Sequence, residues 1–429
     1  MFDSATTQVL RPVRPDPPKR RRGRGPWLLV SGLLAVLLGA AVLFAVAPLR
    51  HPLPAPEVTR TLPASVVIPG KAPVMPWPAT GQAALTVPGV GSLGASGGSR
   101  PVPIASVTKV MTAYVILTEH PLKRGEHGPK LTVSAAQAAA YPEEAARGES
   151  LVRVVAGAVF TEREALQAVL LPSANNMARI LAAWDAGSIE AFVDKMNDTA
   201  AALGMKNTTY TDPSGLDPGT VSTAVDQVIL AREAMRLPAF AEIVAQKSAT
   251  LPVAGVVKNY NSLVGRDGVV GIKTGSTDEA GGCLVFAAVV KAGGRKVTVV
   301  GAVLGQPGAN TPVQLDRVFK ATRPLVRAAA AAIALRPVLR AGDQVATVHG
   351  PLGAGTTIHA AKDVSVVAWP GMRVRLRVEI PTVPGRLPAG SEHGRVTAAT
   401  GAGEPVVTAL RSGAQLEPPS VWDRILHHR

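Results

Sequence analysis

The chain of 429 residues is 47% apolar and only 4% aromatic, enough aliphatic mass for one or two folded domains and too much for a wholly disordered protein. A formal charge of +15 raises a nucleic-acid reading, but the charge is unevenly placed. Arg11, Arg14, Lys19, Arg20, Arg21, Arg22 and Arg24 form one N-terminal run, a membrane-topology signal, so no nucleic-acid partner is expected.

In chain order, residues 1–25 make a basic, Pro-rich tail expected to be disordered and cytoplasmic. Residues 27–47 then carry no charge, long enough to cross a bilayer as a helix. Segment 26–47 is therefore read as a transmembrane signal anchor. Ala45-Val46-Ala47 has the small-x-small form of a cleavage site, but Pro48 follows directly and the apolar run exceeds a usual signal core, which favours retention. The expectation is a single-pass protein of a bacterial cell membrane with its bulk outside the cytoplasm. Residues 48–72 contain Pro48, Pro52, Pro54, Pro56, Pro63 and Pro69 and are predicted to be a semi-rigid spacer. Residues 73–330 alternate helical and strand patterns and are read as the main folded domain. Residues 337–411 hold short Val-rich runs (344–348 and 364–369) between Gly/Pro turns, which predicts a small β-rich domain. Residues 412–429 are expected to be a frayed tail.

Three short patterns occur once each, in the order S-x-x-K, S-x-N, K-T-G. Ser106-Val107-Thr108-Lys109 opens a segment with Val110, Ala113, Tyr114 and Leu117 at helical spacing. Ser106 and Lys109 then share a face. A serine hydroxyl needs a base beside it to act as a nucleophile, and a lysine can serve if burial or nearby cations lower its pKa. Taken alone, the pattern reads equally as an N-cap serine with a surface lysine.

Ser173-Ala174-Asn175 follows Pro172 and precedes Met177, Ile180, Leu181 and Trp184. A polar loop between two helices can offer a hydroxyl to relay a proton and an amide to hold a carbonyl. Alone, it reads as a helix cap. Lys273-Thr274-Gly275 ends the run 268–272, where alternation puts Val270 and Ile272 on one face and Lys273 on the other. Gly281-Gly282 and 292–295 turn the chain into two further strands, a three-strand antiparallel meander. Gly275 is expected to clear the edge for a substrate backbone. The bland alternative is a surface lysine before a turn.

No histidine lies between His127 and His349, and there is no H-E-x-x-H. A Ser-His-Asp triad would have to borrow His120 or His127, and a zinc peptidase is unsupported. No metal or cofactor is expected. Cys283 is the lone cysteine, so no disulfide within the chain is possible. Its neighbours predict a buried small side chain.

At these residues the chain resembles the low-molecular-mass penicillin-binding proteins of the D-alanyl-D-alanine carboxypeptidase type, serine peptidase family S11. Likeness extends through 187–193, Met196-Asn197, 202–205, 212–217, 222–224, Asp226, Asn261, Leu263, Gly265 and 273–281. The resemblance implies an α+β fold, a serine β-lactamase-like antiparallel sheet flanked by helices, with a small C-terminal β-rich domain. It also implies Ser106 as nucleophile, Lys109 as its base, Ser173 as proton relay and Asn175 as orienter. Lys273, Thr274, Gly275 and Ser276 would bind substrate, with the Ser106 and Ser276 N–H groups as oxyanion hole. The implied substrate is a peptidoglycan pentapeptide, and β-lactams would inhibit. Residues 83–100 lack the family's usual acidic strand-turn, and Asn176 stands where an aspartate is common. The motifs are shared with transpeptidases and β-lactamases, and a weakly active peptidoglycan-binding scaffold retains the same fold. The blocks after S-x-N, and the lack of a recognisable motif around Glu143, Glu144 or Glu149 that would mark a deacylating base, favour a carboxypeptidase.

Overall fold

The structure, a computed structural model, describes residues 25–426. The basic run at 11–24 lies outside the described residues. Helix α1 (Gly25–Arg50) contains the uncharged stretch Leu29–Ala47, whose side chains are exposed almost throughout. It is long and apolar enough to cross a membrane.

The centre of the molecule is an antiparallel sheet of β1 (Gln82–Val87), β2 (Gly91–Ser96), β3 (Val269–Thr277), β4 (Gly281–Ala292) and β5 (Arg295–Gln306), in the order β3-β4-β5-β1-β2. The meander β3-β4-β5 is the one read from the sequence. Residues 83–100, without their acidic turn, still make the β1-β2 hairpin. Strand β4 is buried on both faces: Cys283, Val285 and Ala287 point to one core, Leu284, Phe286 and Val290 to the other. A strand covered on both sides reads as a continuous apolar run, which is why 283–290 shows little alternation. Gly301 lies opposite Phe286, where a Cβ would sit 2.4 Å from the ring. The missing side chain is what admits the phenyl group.

Helix α9 (Thr311–Ala332) covers one sheet face with Val318, Leu325, Val326 and Ala329. The other face carries α2 (Lys109–Glu119), α3 (Ala135–Ala146), α4 (Glu162–Leu170), α5 (Asn175–Ala186), α6 (Ile189–Leu203), α7 (Ala224–Ala234) and α8 (Pro238–Val244) around one core cluster. Each large aliphatic or aromatic side chain buried there contributes about 1.5–3 kcal/mol. Cys283 is fully buried, and burial pushes its thiol up to about 12.

The β-rich region departs from its expected limits. Its seven-stranded sheet runs, by residue range, Glu57–Arg60, Gln344–His349, Gly355–Ala360, Val406–Ser412, Glu392–Ala399, Arg373–Glu379, Ser65–Val67. A further strand, Ala334–Leu339, pairs with Val364–Ala368. Segment 48–72 is thus not a free spacer: it supplies both edge strands. Edge strands tolerate proline because one row of their backbone groups needs no ladder partner, so prolines flanking Val58 and Val66 do not prevent pairing. Nor is 412–429 a frayed tail throughout. Leu416 is 1% exposed against this core and exchanges backbone hydrogen bonds with Leu387. Helix α10 (Val421–Leu426) follows, and the Arg424 guanidinium donates to the Leu49 and His51 carbonyls beside the end of α1.

Candidate active site

The S-x-x-K motif starts on a 3₁₀ turn, Ala105–Thr108, that runs into α2 with Lys109 as its first residue. Ala105 sits at φ +47°, an uncommon conformation for alanine. Thr108 Oγ1 locks the turn by donating to the Ala105 carbonyl at 2.8 Å. Two glycines let other segments press against it. A Cβ on Gly215 would fall 1.9 Å from the Ala105 oxygen, and one on Gly275 would fall 2.9 Å from the Ser106 and Val107 nitrogens. The side of Gly275 on which a Cβ would stand is therefore filled by the Ser106–Val107 turn, while its backbone borders the cleft.

Lys109 is fully buried and its Nζ meets three oxygens: Ser106 Oγ at 2.8 Å, Asn175 Oδ1 at 2.7 Å and the Ser214 carbonyl at 2.7 Å. A neutral amine has two N–H donors and one lone pair. The amide and carbonyl oxygens can only accept, so they take the two hydrogens and leave the lone pair for the Ser106 hydroxyl. Burial, reinforced by the Lys273 cation, holds the Lys109 ammonium well below the usual lysine range. Both geometry and charge suit a base.

Helix α4, started by a Thr161–Glu164 capping box, and α5 bracket the S-x-N loop. Ser173 adopts φ +68° and is 4% exposed at the cleft wall. Its hydroxyl finds no partner among the described residues, a cost of about 1–3 kcal/mol for a buried polar group. Asn175 opens α5, its N–H donating to the Ser150 carbonyl at 2.7 Å. Asn176, in place of the common aspartate, exchanges hydrogen bonds with the Val152 backbone through both ends of its amide. It staples the 148–152 loop to α5, a structural role a carboxylate could not fill alone.

Strand β3 is an edge of the sheet. Thr274, Gly275 and Ser276 line the cleft, together with Ser106, Ser173 and Asn175. Lys273 does not line it: 1% exposed, it lies behind the wall with Nζ donating to the Thr274 carbonyl at 2.9 Å, and burial pulls its pKa down to about 7. Ser276 Oγ bonds Thr311 Oγ1 at 3.1 Å and donates to Gln314 Oε1, tying β3 to the start of α9. The cleft has a volume of about 140 Å³, and its walls also include Gly148, Glu149, Ser150, Leu216, Tyr260 and Thr311, none of which lies in the three short patterns. His120 is bonded to Asp185 at 3.1 Å and packs at a tilt against the Trp184 ring, and it does not border the cleft. Seven of the eight expected site residues, Ser106, Lys109, Ser173, Asn175, Thr274, Gly275 and Ser276, converge, and among the described residues no His–Asp pair joins them.

A family model described as D-alanyl-D-alanine carboxypeptidase, peptidase family S11, matches residues 93–307. A D-alanyl-D-alanine endopeptidase of Pseudomonas aeruginosa is 34% identical over 43% of this chain and 59% of its own length. A D-alanyl-D-alanine carboxypeptidase of Mycobacterium tuberculosis is 38% identical over 46% of this chain and 65% of its own. The match thus spans less than two thirds of these relatives. Among solved structures, penicillin binding protein 5 from Haemophilus influenzae superposes with a TM-score of 0.55 at 22% identity, covering 81% of this chain and 99% of that one. That likeness gives the fold, and the family match adds the ancestry: the chain belongs to the D-alanyl-D-alanine carboxypeptidase family, peptidase S11.

Proposed function

We propose that this chain is a serine D-Ala-D-Ala carboxypeptidase that trims peptidoglycan pentapeptides through an acyl-enzyme on Ser106 and is inhibited by β-lactams. The carrying observation is Lys109: buried, depressed in pKa, and with its Nζ 2.8 Å from Ser106 Oγ, where the neutral amine can take the hydroxyl proton. In the forward step the Ser106 proton passes to Lys109 Nζ as Oγ bonds the penultimate D-alanine carbonyl carbon. The backbone N–H groups of Ser106 and Ser276 stabilise the oxyanion, the kind of preorganised term that dominates acyl transfer. Ser173 returns the proton to the leaving amine as the peptide C–N bond breaks. Free D-alanine departs, and water hydrolyses the ester.

Thr274 and Ser276 face the substrate's terminal carboxylate, while Lys273 acts from behind them as a charge. Asn175 orients the substrate carbonyl side. Helix α1 anchors the protein in the membrane, with the catalytic domain outside the cytoplasm. The endopeptidase and carboxypeptidase names among the relatives make cleavage of cross-links the competing outcome. Incubating the full-length chain with muropeptides and weighing the products separates them. Loss of one alanine from pentapeptides, abolished by Ser106→Ala, is expected. Conversion of cross-linked dimers to monomers with pentapeptides untouched, or rapid penicillin hydrolysis, would overturn the carboxypeptidase assignment.

A further inference from the structure

The base Lys109 works only if Asn175 shows it an oxygen. With Lys109 neutral, an Asn175 amide turned by half a revolution would donate N–H to the amine lone pair and quench the base. The amide needs something on its far side to forbid that turn. Glu149 stands there: Asn175 Nδ2 donates to Glu149 Oε2 at 3.1 Å, and the Glu149 side chain is 2% exposed. An ionised carboxylate accepts and cannot donate. One orientation of the amide therefore satisfies both neighbours.

The carboxylate is itself fixed. Arg179 donates to Oε2 at 2.7 Å and Arg147 to Oε1 at 2.9 Å, so although burial pushes Glu149 up, these bonds leave it below the usual carboxylate range. Arg179 also pairs with Glu144, and Arg147 with Glu143. The loop that presents Glu149 is stitched to α5 at the Ser150 carbonyl and the Val152 backbone.

We propose that Glu149 is a positioning residue, which captures the Asn175 amide nitrogen and so holds the Asn175 oxygen on Lys109. The proposal rests on the acyl-enzyme reading above. The groups facing Lys109 are Lys273 from β3, Asp212 from the loop before Gly215, Arg179 from α5 and Glu149 itself. Removing the Glu149 charge withdraws an anion that favours the ammonium and leaves Arg179 less compensated. Both changes move the lysine's titration to lower pH.

The test is the acylation rate of the full-length protein, in detergent, by a fluorescent penicillin across pH. Glu149→Gln should acylate roughly 10- to 100-fold more slowly on the plateau, the loss of a hydrogen bond to a charged group, with its acid limb shifted down. Arg179 keeps Glu144, so the thermal midpoint should stay near that of the parent. Glu149→Asp, which keeps the charge and shortens the reach, should lose rate with the limb unmoved. A Glu149→Gln protein with parental rate and parental limb overturns the proposal. So does a rate loss in both variants with both limbs unmoved, which marks a merely structural role; Glu149→Asp decides if Glu149→Gln fails to fold. Absence of labelling in the parent would instead refute the acyl-enzyme reading.

Discussion

Lys109 and Lys273 are both buried, and burial is the largest cause that lowers each pKa. Neither burial was legible from a motif, because it depends on the nucleophile turn and β3 packing together across more than 160 positions of sequence. Each pKa is depressed, so each lysine sheds its proton below the usual lysine value. Acylation should therefore rise with pH as Lys109 becomes a free base. Carboxylate binding should weaken, with KM rising, as pH passes about 7 and Lys273 loses its charge. Together these give a bell in kcat/KM. Lys273→Ala removes a cation that disfavours the Lys109 ammonium. Its acid limb in penicillin acylation should move up in pH; a downward or absent shift would break the coupling. Gly275 gives a steric test at the same scale. Gly275→Ala pushes a methyl against the Ser106 and Val107 nitrogens, displacing the nucleophile, and stopped-flow acylation should slow by about 100-fold. An unchanged rate would show that the turn yields without cost.

At the scale of elements, the readable parts were those with a period. Helix α2 and the β3-β4-β5 meander followed from 3.6- and 2-residue spacing, and the S-x-N loop from the polar break between α4 and α5. The opposite cleft wall was not readable. Glu149 and Tyr260 come from irregular segments whose approach to Ser106 is set by tertiary contacts, and only the resemblance pointed to Ser214 and Gly215. Helix α4 carries a second feature that sequence hid. Glu162, its first residue, is fully buried, its oxygens without a hydrogen-bond partner among the described residues. Burial, then the charges of Glu126 and Asp185, push its carboxyl from 4.5 to about 8. The fold thus favours the protonated form, so the stability this group allows is full at pH 4 and falls as pH rises towards 8. Glu162→Gln, which mimics the neutral acid, should raise the thermal midpoint at pH 8 and leave it nearly unchanged at pH 4. Equal midpoints at pH 8 would show the carboxylate to be solvated after all.

Across the whole molecule, the helix-flanked five-stranded sheet is inserted between strands of the β-rich sheet. Strands from 57–67 and from 334–412 share one structure, and the chain passes between them through 82–332. Composition concealed this, since Pro-rich spacers and Pro-flanked edge strands look alike until a partner strand is known. The segment after residue 412 was misread for the same reason: Leu416 has an apolar role only once Leu387 is brought beside it. Leu416→Ala should cost about 2–4 kcal/mol in the β-rich unit, read by chemical denaturation, whereas a true tail would lose nothing. The proposed chemistry turns on one serine among many. Full-length protein treated with fluorescent penicillin, digested and mapped by mass spectrometry, tests it most directly. The adduct is predicted on Ser106 alone and should vanish in Ser106→Ala protein that remains folded. A label on any other side chain, or undiminished labelling of that variant, would contradict it.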